Sequence, residues 1–118
     1  MKKTTVDKSS EQESYVAKYL DAWRTPRSGG GLSRKGDVYD EYSLFECKTY
    51  MERRESFTVK KEWLEKLDRE RSEDRKALGI LVINFGGNGN EDNHVVMKLE
   101  DFEALYNDYK HRREPSEE

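Results

Sequence analysis

Residues 35–50 read KGDVYDEYSLFECKTY, and the way they alternate decides the fold. Two runs with period two, 37–39 and 44–49, flank a break, which is the pattern of a β-hairpin. A tight turn at Glu41-Tyr42 and a four-residue loop over 40–43 give the same pairing. Tyr39 then faces Leu44, Val38 faces Phe45, and Asp37 faces Glu46. Directly opposed residues have Cβ atoms roughly 4.5–5.5 Å apart. Lys48 falls on the face of Asp37 and Glu46, while Val38, Phe45 and Cys47 fall on the other face, which suits a core. A slip of one residue would bury the charges and expose the apolar set, so the register is specified.

Outward from the hairpin, the chain reads as alternating helices and strands. Ser10-x-x-Glu13 has the spacing of a capping box, and Val16, Ala17, Leu20 and Trp23 follow at helical spacing. The pattern predicts a helix opening at Ser10, with residues 1–9 as a flexible tail. Pro26 and Gly29-Gly30-Gly31 close that element, and a short strand over 23–27 fits before them. Residues 57–73 carry Lys60, Trp63, Leu64 and Leu67 on one helical face. "ALGILVINF" (77–85) is the most apolar run and reads as a buried central strand. Gly86-Gly87-Asn88-Gly89-Asn90 is turn-rich, and 94–99 reads as another strand. Phe102, Leu105, Tyr106 and Tyr109 mark a last helix, with 112–118 as a second flexible tail. The expected fold is α/β, a small mixed central sheet flanked by helices, in one domain spanning 1–118.

Composition narrows the function classes. Of 118 residues, 40% are charged and 33% hydrophobic, yet the net charge is only −3, so the chain lacks the charge imbalance of a disordered one. Leu, Ile, Val and Phe number 22, a thin core to which a dimer interface would add buried area. One cysteine, Cys47, excludes an internal disulfide framework. No run approaches the ~20 apolar residues of a membrane span, and no apolar segment follows the N-terminal lysines. The reading is a soluble intracellular protein. With this acidic balance, any contact with nucleic acid must use local basic clusters or metal ions.

Two carboxylates opposed on a sheet repel unless something compensates. A magnesium ion would compensate, since hard oxygen donors suit it, and Lys48 would do so in part. That combination is the chemistry of phosphodiester hydrolysis: a metal neutralises phosphate charge and acidifies a bound water, and an ammonium orients the nucleophile or stabilises developing charge. A solvated strand face with a cross-strand ion pair explains the same three residues. Glu13 lies on the stripe of Val16, Ala17 and Leu20, so it either projects toward the sheet or serves as the N3 residue of the capping box. Arg27-Ser28-Gly29-Gly30 offers amides, a hydroxyl and a guanidinium to a phosphate, or is a plain loop, and Arg34 and Lys35 lie in the same segment. Lys60-Lys61 fits phosphate contact and surface solvation equally. Cys47, on the core face, is unsuited to nucleophilic work. His94 and His111 lack metal-ligand spacing, and the glycines after 85 lack the Lys-Ser/Thr of a phosphate-binding loop. Trp23 and Trp63 read as core residues.

Taken in order, Glu13-x-x-Val16-Ala17-x-x-Leu20, Arg27-Ser28-Gly29-Gly30, Lys35-Gly36-Asp37-Val38 and Phe45-Glu46-Cys47-Lys48 resemble the PD-(D/E)xK nuclease superfamily. Within it they are most similar to the small archaeal and bacteriophage Holliday-junction resolvases. Gly36 stands where the motif's name has Pro. The resemblance spans residues 10–105 and implies a restriction-endonuclease-like αβββαβ core. It further implies magnesium, with manganese as a substitute, held by Asp37, Glu46 and the backbone carbonyl of Cys47. Lys48 would be the catalytic lysine, Glu13 would support the metal or its water, and Ser28 would touch the scissile phosphate. Gly29, Arg27, Arg34, Lys35, Lys60 and Lys61 would line the DNA. The implied protein is a homodimeric endonuclease of DNA recombination and repair, in the cytoplasm of a prokaryote or virus-infected host cell. A restriction- or repair-type nuclease on duplex DNA, and a non-catalytic DNA- or protein-binding protein, are the alternatives.

Overall fold

A computed structural model describes residues 3–26 and 36–113. Helix α1 spans Thr5–Leu20, β1 Trp23–Arg24, β2 Val38–Tyr39, β3 Ser43–Thr49, α2 Lys61–Glu73, β4 Leu78–Asn84, β5 Asn93–Val96 and α3 Leu99–Arg113. The five strands form one mixed sheet in sequence order. β1, β2 and β3 are successively antiparallel, β3 and β4 run parallel, and β4 and β5 are antiparallel. A parallel pair needs a long crossover, which α2 supplies between β3 and β4. Among the described residues no helix is long and apolar enough to cross a membrane.

α1 begins earlier than the sequence pattern predicts. Its capping box is Thr4 with Asp7, each side chain bonded to the other's backbone N–H at 3.1 Å. Ser10 therefore lies inside the helix, and Glu13 is not a capping residue. Residues 5–9 and 112–113, expected in flexible tails, are helical. The early turns escaped notice because the positions they bury are polar. Lys8 and Gln12 are almost fully buried, and the apolar stripe starts only at Val16. Lys8 Nζ donates to the Gly89 carbonyl, and Gln12 Nε2 donates to the carbonyls of Lys48 and Val82 and to Asn93 Oδ1. The front half of α1 is thus held by hydrogen bonds to the β4–β5 connection and to β3.

Both faces of the sheet are covered. Toward α1 lie Val38, Phe45, Cys47, Ile80 and Val82 against Val16 and Ala17. Toward α2 lie Leu44, Leu81 and Ile83 against Leu67. The shorter α2, starting at Lys61 rather than 57, follows an extended segment whose Phe57 packs among Tyr50, Trp63 and Phe85. The glycine-rich segment after β4 joins two antiparallel strands, as its turn chemistry predicts. Leu99, expected at a strand end, is instead the first residue of α3, a helix with no buried residue.

Candidate functional site

The β2–β3 hairpin has the expected register, Val38 opposite Phe45 and Tyr39 opposite Leu44. Asp40 sets the turn: its Oδ1 accepts the N–H groups of Tyr42 and Ser43. Asp37 precedes the formal start of β2 but is fastened to β3 twice. Its N–H donates to the Phe45 carbonyl at 2.9 Å, and its Oδ2 accepts the Cys47 N–H at 2.8 Å. The carboxylate thereby satisfies a β3 amide and is fixed beside Glu46.

Glu46 carries the electrostatic strain of the site. Its side chain is only 18% exposed, and its carboxyl is pushed up to about 7, first by burial and then by the Asp37 charge. Lys48 and Lys66 act in the opposite direction, and Glu70 adds to the rise. Lys48 Nζ is 4.0 Å from Glu46 Oε2 and 4.6 Å from the centroid of the Trp63 ring. Lys60 Nζ approaches the same ring at 5.7 Å. Two ammonium groups therefore lie about the indole near the start of α2, one of them, Lys48, beside Glu46.

The remaining site candidates are distributed as follows. Glu13 is buried, and its Oε1 accepts from Arg24 Nη2 at 3.0 Å on β1. It does not form a three-carboxylate cluster with Asp37 and Glu46: among the described residues no three His, Cys, Asp or Glu side chains converge as metal ligands. The Cys47 thiol sits on the core face, where burial first, and then Asp37 and Glu13, raise it far above the usual thiol range. Lys61 is exposed and pairs with Glu65 at 3.9 Å. His94 pairs with Asp92 at 2.9 Å. Arg27, Ser28, Gly29, Arg34 and Lys35 lie outside the described residues.

Sequence reasoning missed four neighbours of the site: Trp63, Lys66, Glu70 and Arg24. Trp63, read as a core residue, does pack half-buried against the cluster of Leu44, Leu67, Leu81 and Ile83, and it also carries Lys48 on its face. Lys66 and Glu70 form an i, i+4 pair at 3.8 Å, and both act on Glu46. The signal for them was the placement of Lys60, Trp63, Lys66, Leu67 and Glu70 along one side of α2, legible once α2 is known to cover the Glu46 face. Arg24 had no such signal, because its link to Glu13 depends on β1 pairing beside β2.

The donor chemistry fits a hard divalent cation: two carboxylates on adjoining strands, one of them destabilised as an anion, with the Cys47 carbonyl on the same strand. No family model matches the chain, and no curated protein or solved structure matches it.

Proposed function

We propose that the chain is a magnesium-dependent DNA endonuclease of the PD-(D/E)xK kind, acting on branched DNA as a Holliday-junction resolvase. The observation that carries this reading is the side-by-side arrangement of Asp37, Glu46 and Lys48, with Glu46 largely covered and set beside a second carboxylate. Crowding the largely covered Glu46 carboxyl against a second carboxylate is costly, and groups perturbed in this way cluster at functional sites. The topology supports the reading as well. A helix, three antiparallel strands, a crossover helix and a parallel fourth strand follow in the order of the αβββαβ core.

In this account Asp37, Glu46 and the Cys47 carbonyl hold the magnesium, with manganese as a substitute. When bound, the metal neutralises phosphate charge and acidifies a water. Lys48, held over Trp63 and beside Glu46, directs its ammonium at the scissile phosphate and stabilises the charge that grows there. Lys60 and Lys61, at the start of α2, contact the DNA backbone, together with Arg27, Ser28, Gly29, Arg34 and Lys35. Glu13, through Arg24, buttresses the strand edge next to the site. The protein acts as a homodimer in the cytoplasm, each copy cutting one strand.

The pairing of Glu13 with Arg24 favours a second reading, a DNA-binding protein that does not cut. A cleavage assay separates the two: an end-labelled four-way junction and a linear duplex of the same sequence, each with magnesium. Paired symmetric nicks near the branch point support the resolvase. Equal cutting of the duplex would discard junction selectivity but keep the nuclease. Binding without cutting, in magnesium or manganese, would assign the second reading.

A further inference from the structure

The glycine-rich turn after β4 holds a reactive pair that the site does not use. Of the five asparagines, Asn84 and Asn93 lie in strands and Asn107 lies in α3. Asn90 is tied down: its Oδ1 accepts from Lys8 Nζ, and its carbonyl accepts from Asn93 Nδ2. Asn88 differs from all four. It is exposed and lies outside helix and strand. Among the described residues, neither its side-chain amide nor the N–H of Gly89 has a hydrogen-bond partner. Gly89 carries no Cβ to block the approach of its own nitrogen to the Asn88 side chain, and a backbone N–H that no acceptor holds is free to turn inward.

These features are what an intramolecular attack on the side-chain amide needs. Gly89 N gives its proton to water and bonds to Asn88 Cγ. The Cγ–Nδ2 bond breaks, ammonia leaves, and a five-membered imide closes. Water then opens the ring on either side. Cleavage between Gly89 N and Cγ gives an aspartate on an unaltered backbone. Cleavage between Gly89 N and the Asn88 main-chain carbonyl carbon gives an isoaspartate, whose backbone runs through Cγ and is one carbon longer. The net change is loss of ammonia and gain of water, with no oxidant or reductant.

The second product has a structural consequence. Lys8 is 2% exposed, and its Nζ donates to the Gly89 carbonyl at 3.1 Å and to Asn90 Oδ1 at 3.5 Å. Both acceptors belong to the two residues directly after Asn88. A longer backbone at 88 displaces them, and a buried ammonium that loses its acceptors is destabilising. The aspartate product leaves them in place.

We propose that Asn88-Gly89 is a self-modification site: Asn88 deamidates through the Gly89 amide in the folded chain, and the isoaspartate product releases Lys8 and with it the first turns of α1. This inference is independent of the nuclease reading.

Peptide mapping by mass spectrometry tests the first part, on the full chain aged at neutral pH and physiological temperature. The expected result is deamidation at Asn88 and not at the other four asparagines, at a rate close to that of Asn88 in the urea-unfolded chain. Gly89→Ala should slow it, and Asn88→Gln should abolish it. Thermal unfolding and amide hydrogen exchange test the second part. The isoaspartate form, separated by ion exchange, should melt about 5 °C lower, with protection lost over residues 5–9. Asn88→Asp, which reproduces the other product, should melt like the unaltered chain. In Lys8→Met, where no ammonium remains to be released, conversion to isoaspartate should bring no further drop. An Asn88 that stays intact in the folded chain while the urea-unfolded chain deamidates would overturn the proposal. So would an isoaspartate form with unchanged Tm and exchange, or a drop in Tm that is as large in Lys8→Met.

Discussion

The Lys48 ammonium lies over the indole of Trp63, 4.6 Å from the ring centroid, so the cation beside Glu46 is positioned by a helix and not by its own strand alone. Trp63 also meets Phe57 edge-on at 6.5 Å. Trp63→Ala should therefore lose stability and site geometry together. For a half-buried aromatic side chain the expected cost is about 2 kcal/mol, read by urea denaturation. Cleavage by this variant should fall mainly in kcat, because Lys48 loses its closer platform, with a smaller rise in KM, because Lys60 alone among the proposed DNA-contacting cations shares that ring. A fall confined to KM would place Trp63 on the DNA instead.

Glu46 sets a pH dependence of stability. Its folded value, about 7, lies above its ordinary value of 4.5. A raised folded value means that the folded chain binds this proton more tightly than the unfolded one. The stability from this group is thus full below about pH 4.5 and is lost as pH rises through about 7. Glu46→Gln should stabilise the metal-free protein at pH 8, by about 2–3 kcal/mol, and change little at pH 4. Thermal unfolding at the two pH values measures the difference. Equal effects at both would show that Glu46 is not strained.

Magnesium should relieve the same strain. If Asp37 and Glu46 hold the ion only when folded, millimolar magnesium raises Tm by a few degrees, as expected for about 1–3 kcal/mol of linkage. Asp37→Asn should abolish that rise. An unchanged Tm in the unaltered protein would count against a preformed cation site.

Gly86 tests the packing of the β4–β5 connection. It has φ of 91°, and a Cβ there would come within 2.4 Å of the Glu52 carbonyl oxygen. Its N–H donates to Asn84 Oδ1 at 2.8 Å. Gly86→Ala should cost about 2–4 kcal/mol, combining left-handed strain with displacement of the 50–53 backbone. Gly89→Ala meets only the movable Glu91 carboxylate and should cost far less, which chemical denaturation of both variants would reveal.

The sequence made the hairpin legible because a period of two leaves little freedom: Val38 and Phe45 had to share the core face, and that placed Asp37, Glu46 and Lys48 together. It made the start of α1 illegible for an equally physical reason. Lys8 and Gln12 are buried through hydrogen bonds to distant backbone, so no apolar stripe marks those turns, and Ser10-x-x-Glu13 imitates a cap that Thr4 and Asp7 provide. Leu99 continues the alternation of β5 and looked like strand, although the helix begins there. Trp63 matched a core stripe, and only the position of α2 over the Glu46 face gives it its place beside Lys48.

The central claim, that these side chains cut DNA, is tested most directly by comparing the unaltered protein with Lys48→Ala on one end-labelled four-way junction, with and without magnesium. The account predicts magnesium-dependent cleavage by the unaltered chain, and loss of cleavage in Lys48→Ala with junction binding and Tm retained. Cleavage that persists in Lys48→Ala, or its absence from the unaltered protein in both magnesium and manganese, would contradict it.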